Sequence, residues 1–297
     1  MPYIETDDNV RLFYEEAGTG EPILFLHEFG GHHLSWEPQV RYFSRRYRCI
    51  TYAARGWPPS DVPDHVSSYS QARAADDAAA MLDGLGIEKA HLVGLSMGAT
   101  AGIEFGIRHP GRARSLTIAA GGGGGSVNEA EKARFQKDCE VFAERIEREG
   151  MPAMAELYCA GPARVQYRDK DPRGWAEFKR QFAEGSAVGH AMTMLGVQGA
   201  RQPMFERTAE LAGIDDPMLV IIGDEDDSTH GLAWHLKQHV PRCGVLTFPK
   251  TGHTINLEEP AAFNAAVQDF IHAVEHGRWG RRGGDAGQRF TLIPPAR

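Results

Sequence analysis

The residues best suited to chemistry in this chain are one serine, one histidine and a knot of acids, each set just beyond an apolar run. Ser96 lies inside Gly94-Leu95-Ser96-Met97-Gly98, a G-x-S-x-G pattern fed by Ala90-His91-Leu92-Val93 and followed by a helical stretch, Ala99 to Arg108. A serine on so tight a strand-to-helix turn is lifted out of the sheet, and small neighbours let the backbone turn that sharply. A serine hydroxyl is a poor nucleophile at neutral pH. It needs a histidine to take its proton and a carboxylate to hold that histidine in one tautomer. His253 follows the Thr251-Gly252 turn and precedes a helix, and Asp224-Glu225-Asp226-Asp227 follows the preceding strand, so the chain order is serine, acid, histidine. The chemistry this set can do is acyl transfer: attack on a carbonyl, an acyl-enzyme, then release by water. At this point Asp224, Asp226 and Asp227 all qualify as the acid.

The elements that must position these groups alternate. Tyr3–Thr6 and Val10–Tyr14 flank a turn at Asp7-Asp8-Asn9 and read as a hairpin. Pro22–Leu26, Tyr47–Tyr52, Ala90–Val93, Ser115–Ile118, Met218–Ile222 and Val245–Phe248 read as strands, with an alanine-rich helix at Ala72–Leu85 and further helices at Phe205–Ala212, His230–His239 and Leu257–His276. Continuous apolar strands alternating with helices predict a parallel sheet covered on both faces. Gly121–Gly125 breaks the alternation. From there to Gln202 the sequence turns helical, with segments at Glu129–Arg148, Pro152–Cys159, Trp175–Glu184 and His190–Gln198. The expected division is a core over 1–125 and 203–276, a helical cap over 126–202 and a loosely ordered tail over 277–297. Within that tail Phe290–Ile293 is the segment able to dock. In an open parallel sheet, ligands bind at the carboxyl ends of the strands. Those ends carry His27-Glu28-Phe29-Gly30-Gly31, Arg55-Gly56, Ser96-Met97, Gly223–Asp226 and Gly252-His253.

Composition narrows the partners. With 297 residues and 42% hydrophobic residues, the chain can bury a large core, and its net charge of −8 disfavours a nucleic-acid backbone as partner. No apolar run is long enough for a bilayer, and the start, Met1-Pro2-Tyr3-Ile4-Glu5, lacks the basic and apolar regions of a signal peptide. Four dispersed cysteines without a C-x-x-C pair fit reduced thiols and a cytoplasmic location. Nothing in the sequence sets an oligomeric state.

On the strand-end motifs, with Arg55-Gly56-Trp57-Pro58-Pro59-Ser60 added, the sequence resembles the α/β-hydrolase superfamily over nearly all of Met1 to His276. The resemblance implies an eight-stranded, mostly parallel sheet with a helical cap inserted after the sixth strand. It implies Ser96 as nucleophile, His253 as base and, through the family's Gly-x-x-Asp pattern, Asp226 as acid. It also implies an oxyanion hole from the backbone amides of Met97 and Phe29. Gly30 and Gly31 would let that loop approach closely. The family usually has glycine after the loop histidine; here Glu28 stands there, and the expectation is that it turns aside into a hydrogen bond or ion pair, with Arg55 as a candidate partner. Ala53 replaces an acid common two residues before the Arg-Gly pair.

His27, Glu28, Gly30 and Trp175 are candidate site-lining residues, as are Met151, Met154, Met192, Met194 and Phe182 of the cap. His32, His33 and Trp36 are expected at the pocket mouth or on the surface. His27-Glu28 with His32-His33 fails the zinc-helix spacing, so no metal is expected, and no cofactor is implied. Serine at the elbow argues against epoxide or halide chemistry by an alkyl-enzyme. The resulting expectation is a serine hydrolase for a small-molecule carboxylic ester or lactone. Alternatives are hydrolysis of a carbon–carbon bond in aromatic ring-cleavage products, for which Leu95 and Met97 are atypical neighbours, and a hydrolase-fold binding protein with slow turnover.

Overall fold

The computed structural model describes residues 2–122 and 128–283. Its eight strands are β1 (Tyr3–Glu5), β2 (Arg11–Ala17), β3 (Pro22–Leu26), β4 (Arg48–Tyr52), β5 (Ala90–Leu95), β6 (Ala113–Ala119), β7 (Met218–Gly223) and β8 (Cys243–Phe248). They form one sheet in the order β1-β2-β4-β3-β5-β6-β7-β8. β2 pairs antiparallel with β1 and β4, and every pairing from β4 to β8 is parallel. The fold is therefore the eight-stranded, mostly parallel sheet that the resemblance implies.

Alternation along each strand sorts the core into two layers. Leu24, Leu26, Leu92, Leu116, Ile118 and Val220 face one side, where α2 (Gln71–Gly84), α3 (Met97–Arg108) and α9 (Asp227–His239) cover them. Ile23, Phe25, Val93, Leu95 and Ile221 face the other, under α1 (Glu37–Phe43) and α11 (Pro260–Glu275). With both faces covered, β5 and β7 are buried at every residue. The register pairs Leu26 with Gly94, Leu95 with Ala119 and Gly223 with Phe248, so the carboxyl ends of β3 and β5 through β8 lie along one edge.

The cap enters between β6 and β7. It comprises α4 (Glu129–Cys159), α5 (Val165–Lys170), α6 (Pro172–Ala183) and α7 (Ala187–Thr193), which runs into a π-helical stretch at Met194–Gly199. α8 (Thr208–Ala212) and α10 (Ile255–Glu258) complete the helices. α4 breaks where the sequence does: Gly150 has φ 78° and Pro152 restarts the helix. α6 and α7 begin earlier than the apolar pattern suggests, because Asp171 caps Gly174 and Ser186 caps Gly189. α1 is a helix that the sequence reading lacks. Its seven residues bury only Gln39 and Phe43, too few for a readable periodicity. Gly123–Gly125 and Phe290–Ile293 lie outside the described residues. Trp279 folds back on Phe270, ring centroids 4.6 Å apart, and its indole donates to the Arg242 carbonyl at 2.8 Å.

Candidate active site

β5 ends in a sharp turn into α3. Ser96 sits at φ 54°, ψ −109°, a region costly to a residue with a side chain, and its amide donates to the Ala119 carbonyl at 2.8 Å. The flanking glycines have a steric reason. A Cβ on Gly98 would stand 2.1 Å from the Leu26 carbonyl oxygen, and one on Gly94 would stand 2.3 Å from that of Gly98. The turn holds the serine hydroxyl above the sheet edge while α3 runs down behind it.

His253 reaches that hydroxyl from the loop after β8. Its Nε2 is 2.7 Å from Ser96 Oγ, and its Nδ1 is 2.5 Å from Asp226 Oδ2. Asp226, 2% exposed, also accepts from the Ser228 hydroxyl at 2.8 Å. Burial pushes the Asp226 carboxyl up, but the hydrogen bond and charge of His253, with Ser228 and Arg164, hold it below the usual carboxylate range. The competing acids point elsewhere. Asp224 accepts from the Thr251 amide at 3.2 Å, and the Asp227 side chain is 99% exposed.

Glu258 shapes the histidine's loop, and the sequence reading missed it. Its carboxylate accepts from the amides on either side of His253, Gly252 at 2.8 Å and Thr254 at 3.1 Å. The one available signal was an acid five residues after His253, just ahead of the last helix.

The loop after β3 faces the serine. The amides of Phe29 and Met97 donate to no acceptor among the described residues, and Met97 is the first residue of α3, where amides lack intrahelical partners. His27 anchors this loop. Its Nδ1–H donates to the Glu28 carbonyl at 2.8 Å and its Nε2 accepts from the Ala54 amide at 3.0 Å, which assigns the neutral tautomer. Burial pushes His27 down to about 3, in keeping with a structural, uncharged ring.

Glu28 does turn into an ion pair, but not with Arg55. Arg55 points beneath the sheet edge to Asp77 of α2, at 2.7 Å on each oxygen, and to Asp8. Asp77 is a buried acid among Ala75, Ala78, Ala79, Met81 and Leu82, a position that demands a cation. The partner of Glu28 is Arg164, in the cap turn before α5. The pair is bidentate, with Nη1 to Oε1 at 3.0 Å and Nη2 to Oε2, and both side chains are at most 4% exposed. Arg164 also donates to the Tyr158 hydroxyl at 2.9 Å and to Thr254, beside His253. Its neighbour Ala163 accepts from the His253 amide at 3.0 Å. One cap turn thus grips the loops of both Phe29 and His253.

Phe29 inserts its ring among Trp57, Phe142, Tyr158, Phe182 and His190, at centroid distances of 5.2–6.1 Å. Gly30 lets the loop reach the cap: a Cβ there would meet the Tyr158 ring at 2.4 Å. Met151, Met154, Met194 and Phe182 pack with Phe29 and Met97 in one apolar cluster, with Met192 against it. Trp175 lies apart. It packs with Cys159, Tyr167 and Phe178 and donates to the Cys159 carbonyl. Trp36 is buried against Phe25, His33 is buried against Phe13 and lines a surface pocket with Tyr14 and Glu15, and His32, half-buried against the Pro58 carbonyl, lines another with Trp57 and Phe182. Among the described residues no group of three or more His, Cys, Asp or Glu side chains could hold a metal ion. No helix among them is long and apolar enough to cross a membrane.

Comparison with known proteins agrees with this architecture. A family model described as alpha/beta hydrolase fold matches residues 21–260. The chain is 27% identical to 3-oxoadipate enol-lactonase 1 of Acinetobacter baylyi, over 85% of this chain and 89% of that one. It is 36% identical to a protein of Azorhizobium caulinodans that carries a provisional carbamate-hydrolase name, over 93% and 100%. The fold superposes on the enol-lactonase of Burkholderia xenovorans LB400 with a TM-score of 0.79 at 24% identity, covering 91% of this chain and all of that one.

Proposed function

This chain belongs to the α/β-hydrolase fold family, and from that premise we propose that it is a serine hydrolase for a small carboxylic ester or lactone. The observation that carries the reading is the unbroken hydrogen-bonded run Ser96–His253–Asp226, facing the free amides of Phe29 and Met97. The likeness to an enol-lactonase gives the substrate class.

The steps follow from the geometry. Ser96 Oγ attacks the carbonyl carbon as its proton passes to His253 Nε2. Asp226 holds the ring through Nδ1 and stabilises the imidazolium. The carbonyl oxygen, now an oxyanion, takes the two amides, each worth roughly 3 kcal/mol in the transition state. The C–O bond then breaks, and His253 returns the proton to the leaving oxygen. In a lactone that oxygen stays tethered to the acyl chain. Water repeats the sequence: it gives a proton to His253, attacks the acyl carbon, and Ser96 leaves with that proton to release the acid. The Glu28–Arg164 pair holds the Phe29 amide and the His253 loop at one fixed separation. Four buried, unpaired cysteines fit work in a reducing, cytoplasmic setting.

Purified protein is expected to hydrolyse short p-nitrophenyl esters, and Ser96→Ala to lose the activity by about three orders of magnitude or more with its circular dichroism unchanged. Equal turnover by Ser96→Ala would rule the mechanism out. Turnover of ring-cleavage dienones but not of esters or lactones would move the reading to carbon–carbon hydrolysis.

A further inference from the structure

Among the described residues, three arginines near the sheet edge are buried to 7% exposure or less: Arg55, Arg164 and Arg201. Arg55 is neutralised by Asp8 and Asp77, and Arg164 by Glu28. Arg201 has no acid. Its Nη1 donates to the Thr100 hydroxyl at 2.8 Å and its Nη2 to the Gln198 side-chain oxygen at 3.0 Å, while Nε has no partner. Two of its five N–H groups are used, both on neutral oxygens. A buried cation without a counter-charge is costly, and proteins as a rule supply a carboxylate.

Its position is as telling as its isolation. Thr100 lies one turn into α3, and its hydroxyl donates onward to the Met97 carbonyl at 2.9 Å. Arg201 therefore stands beside the helix end whose first amide is the proposed oxyanion donor. α3 has twelve residues and no acid in its first turn, so the positive end of its dipole is uncompensated too. Nη2 also lies near the segment that follows β6, where a Cβ on Gly122 would be 3.9 Å away. Two sources of positive potential thus converge at the carboxyl edge of the sheet, and no carboxylate among the described residues pairs with Arg201.

We propose that Arg201 is the recognition site for a carboxylate on the substrate, so that the ester or lactone cleaved is one arm of a dicarboxylic acid. The proposal rests on the reading of Ser96 as nucleophile and adds the substrate's second charge. The span from the oxyanion site to the guanidinium is about one helical pitch plus one hydrogen bond, roughly 8 Å, which suits monoesters of short-chain diacids. A guanidinium–carboxylate contact in a dry site is worth about tenfold or more in affinity.

The test compares monoethyl glutarate with its uncharged carboxamide analogue, ethyl 4-carbamoylbutanoate, in a pH-stat assay. The intact protein is expected to favour the charged ester in kcat/KM by about tenfold or more, mainly through KM. Arg201→Met is expected to collapse that ratio towards one, and Arg201→Lys to retain part of it. No preference in the intact protein, or a preference that survives Arg201→Met, overturns the proposal. Thermal protection by free glutarate against glutaramide is read in parallel, before any turnover. If neither ester is cleaved, the hydrolase reading fails, and glutarate protection lost in Arg201→Met still supports the anion site while its absence overturns it. Should Arg201→Met not fold, the intact protein's ratio and the Arg201→Lys variant decide.

Discussion

Arg164 and Arg201 both come from the segment between β6 and β7, both are buried, and both reach the carboxyl edge of the sheet. Arg164 is saturated: a bidentate carboxylate, a tyrosine and a threonine hydroxyl, and the faces of Tyr158 and Phe178 at 5.1 and 5.0 Å. Arg201 has a hydroxyl, an amide oxygen and an idle Nε. A cation whose charge is met within the fold does mechanical work. A cation left unmet is available to something from outside. The contrast separates what holds this site together from what the site is for.

The largest effect should come from breaking the saturated pair. Arg164→Met leaves Glu28 charged, buried and alone beside the Phe29 amide. The expected cost is about 3–5 kcal/mol in urea unfolding, with a fall in kcat that exceeds any change in KM. Adding Glu28→Gln to Arg164→Met should recover much of the stability, because no charge is then left stranded. Equal losses in kcat and in affinity would reduce the pair to a generic packing contact.

Arg201→Met should behave in the opposite way. It removes an uncompensated charge, so unfolding free energy should change by less than about 1 kcal/mol or rise. A destabilisation as large as that of Arg164→Met would erase the contrast and make Arg201 structural.

A smaller effect separates the charged arginines from the buried neutral histidines. Burial pushes His27 to about 3 and His91 and His190 to about 4. In the unfolded chain these rings titrate near 6.5. Between about 6.5 and those lowered values the unfolded state binds more protons than the folded one, so stability present above 6.5 is lost as pH falls. Each ring adds a slope of up to about 1.4 kcal/mol per pH unit. The melting temperature should therefore drop from pH 7 to pH 5, with Asp216, whose carboxyl burial pushes up to about 6, opposing the three rings in part. A flat profile over that range would mean the rings are not buried neutral.

The parts of this molecule legible from sequence are those fixed by local pattern. β3, β5 and β7 are apolar runs because both sheet faces are covered, and the glycines around Ser96 announce the turn whose carbonyls they must clear. Ser96, Asp226 and His253 could be nominated because each closes a strand, and a parallel sheet aligns strand ends. What the sequence hides is partnership across distance. Glu28 and Arg164 are 136 positions apart, and Arg164 sits in Gly161-Pro162-Ala163-Arg164, which has no periodicity to mark it. Arg55 sits at a strand end near the site, yet its partner in space is Asp77, buried on a helix face whose other residues are apolar apart from Gln71. Short elements hide too: α1 buries too few side chains to show a period.

In the proposed mechanism Ser96 carries the acyl group. Mixing the protein with p-nitrophenyl acetate, quenching in acid within the first turnover and digesting for mass spectrometry tests it directly. One acetyl group per chain is expected on the peptide containing Ser96, appearing with a stoichiometric burst of nitrophenol. Acetyl on any other residue, or steady hydrolysis with no acylated peptide, would contradict it.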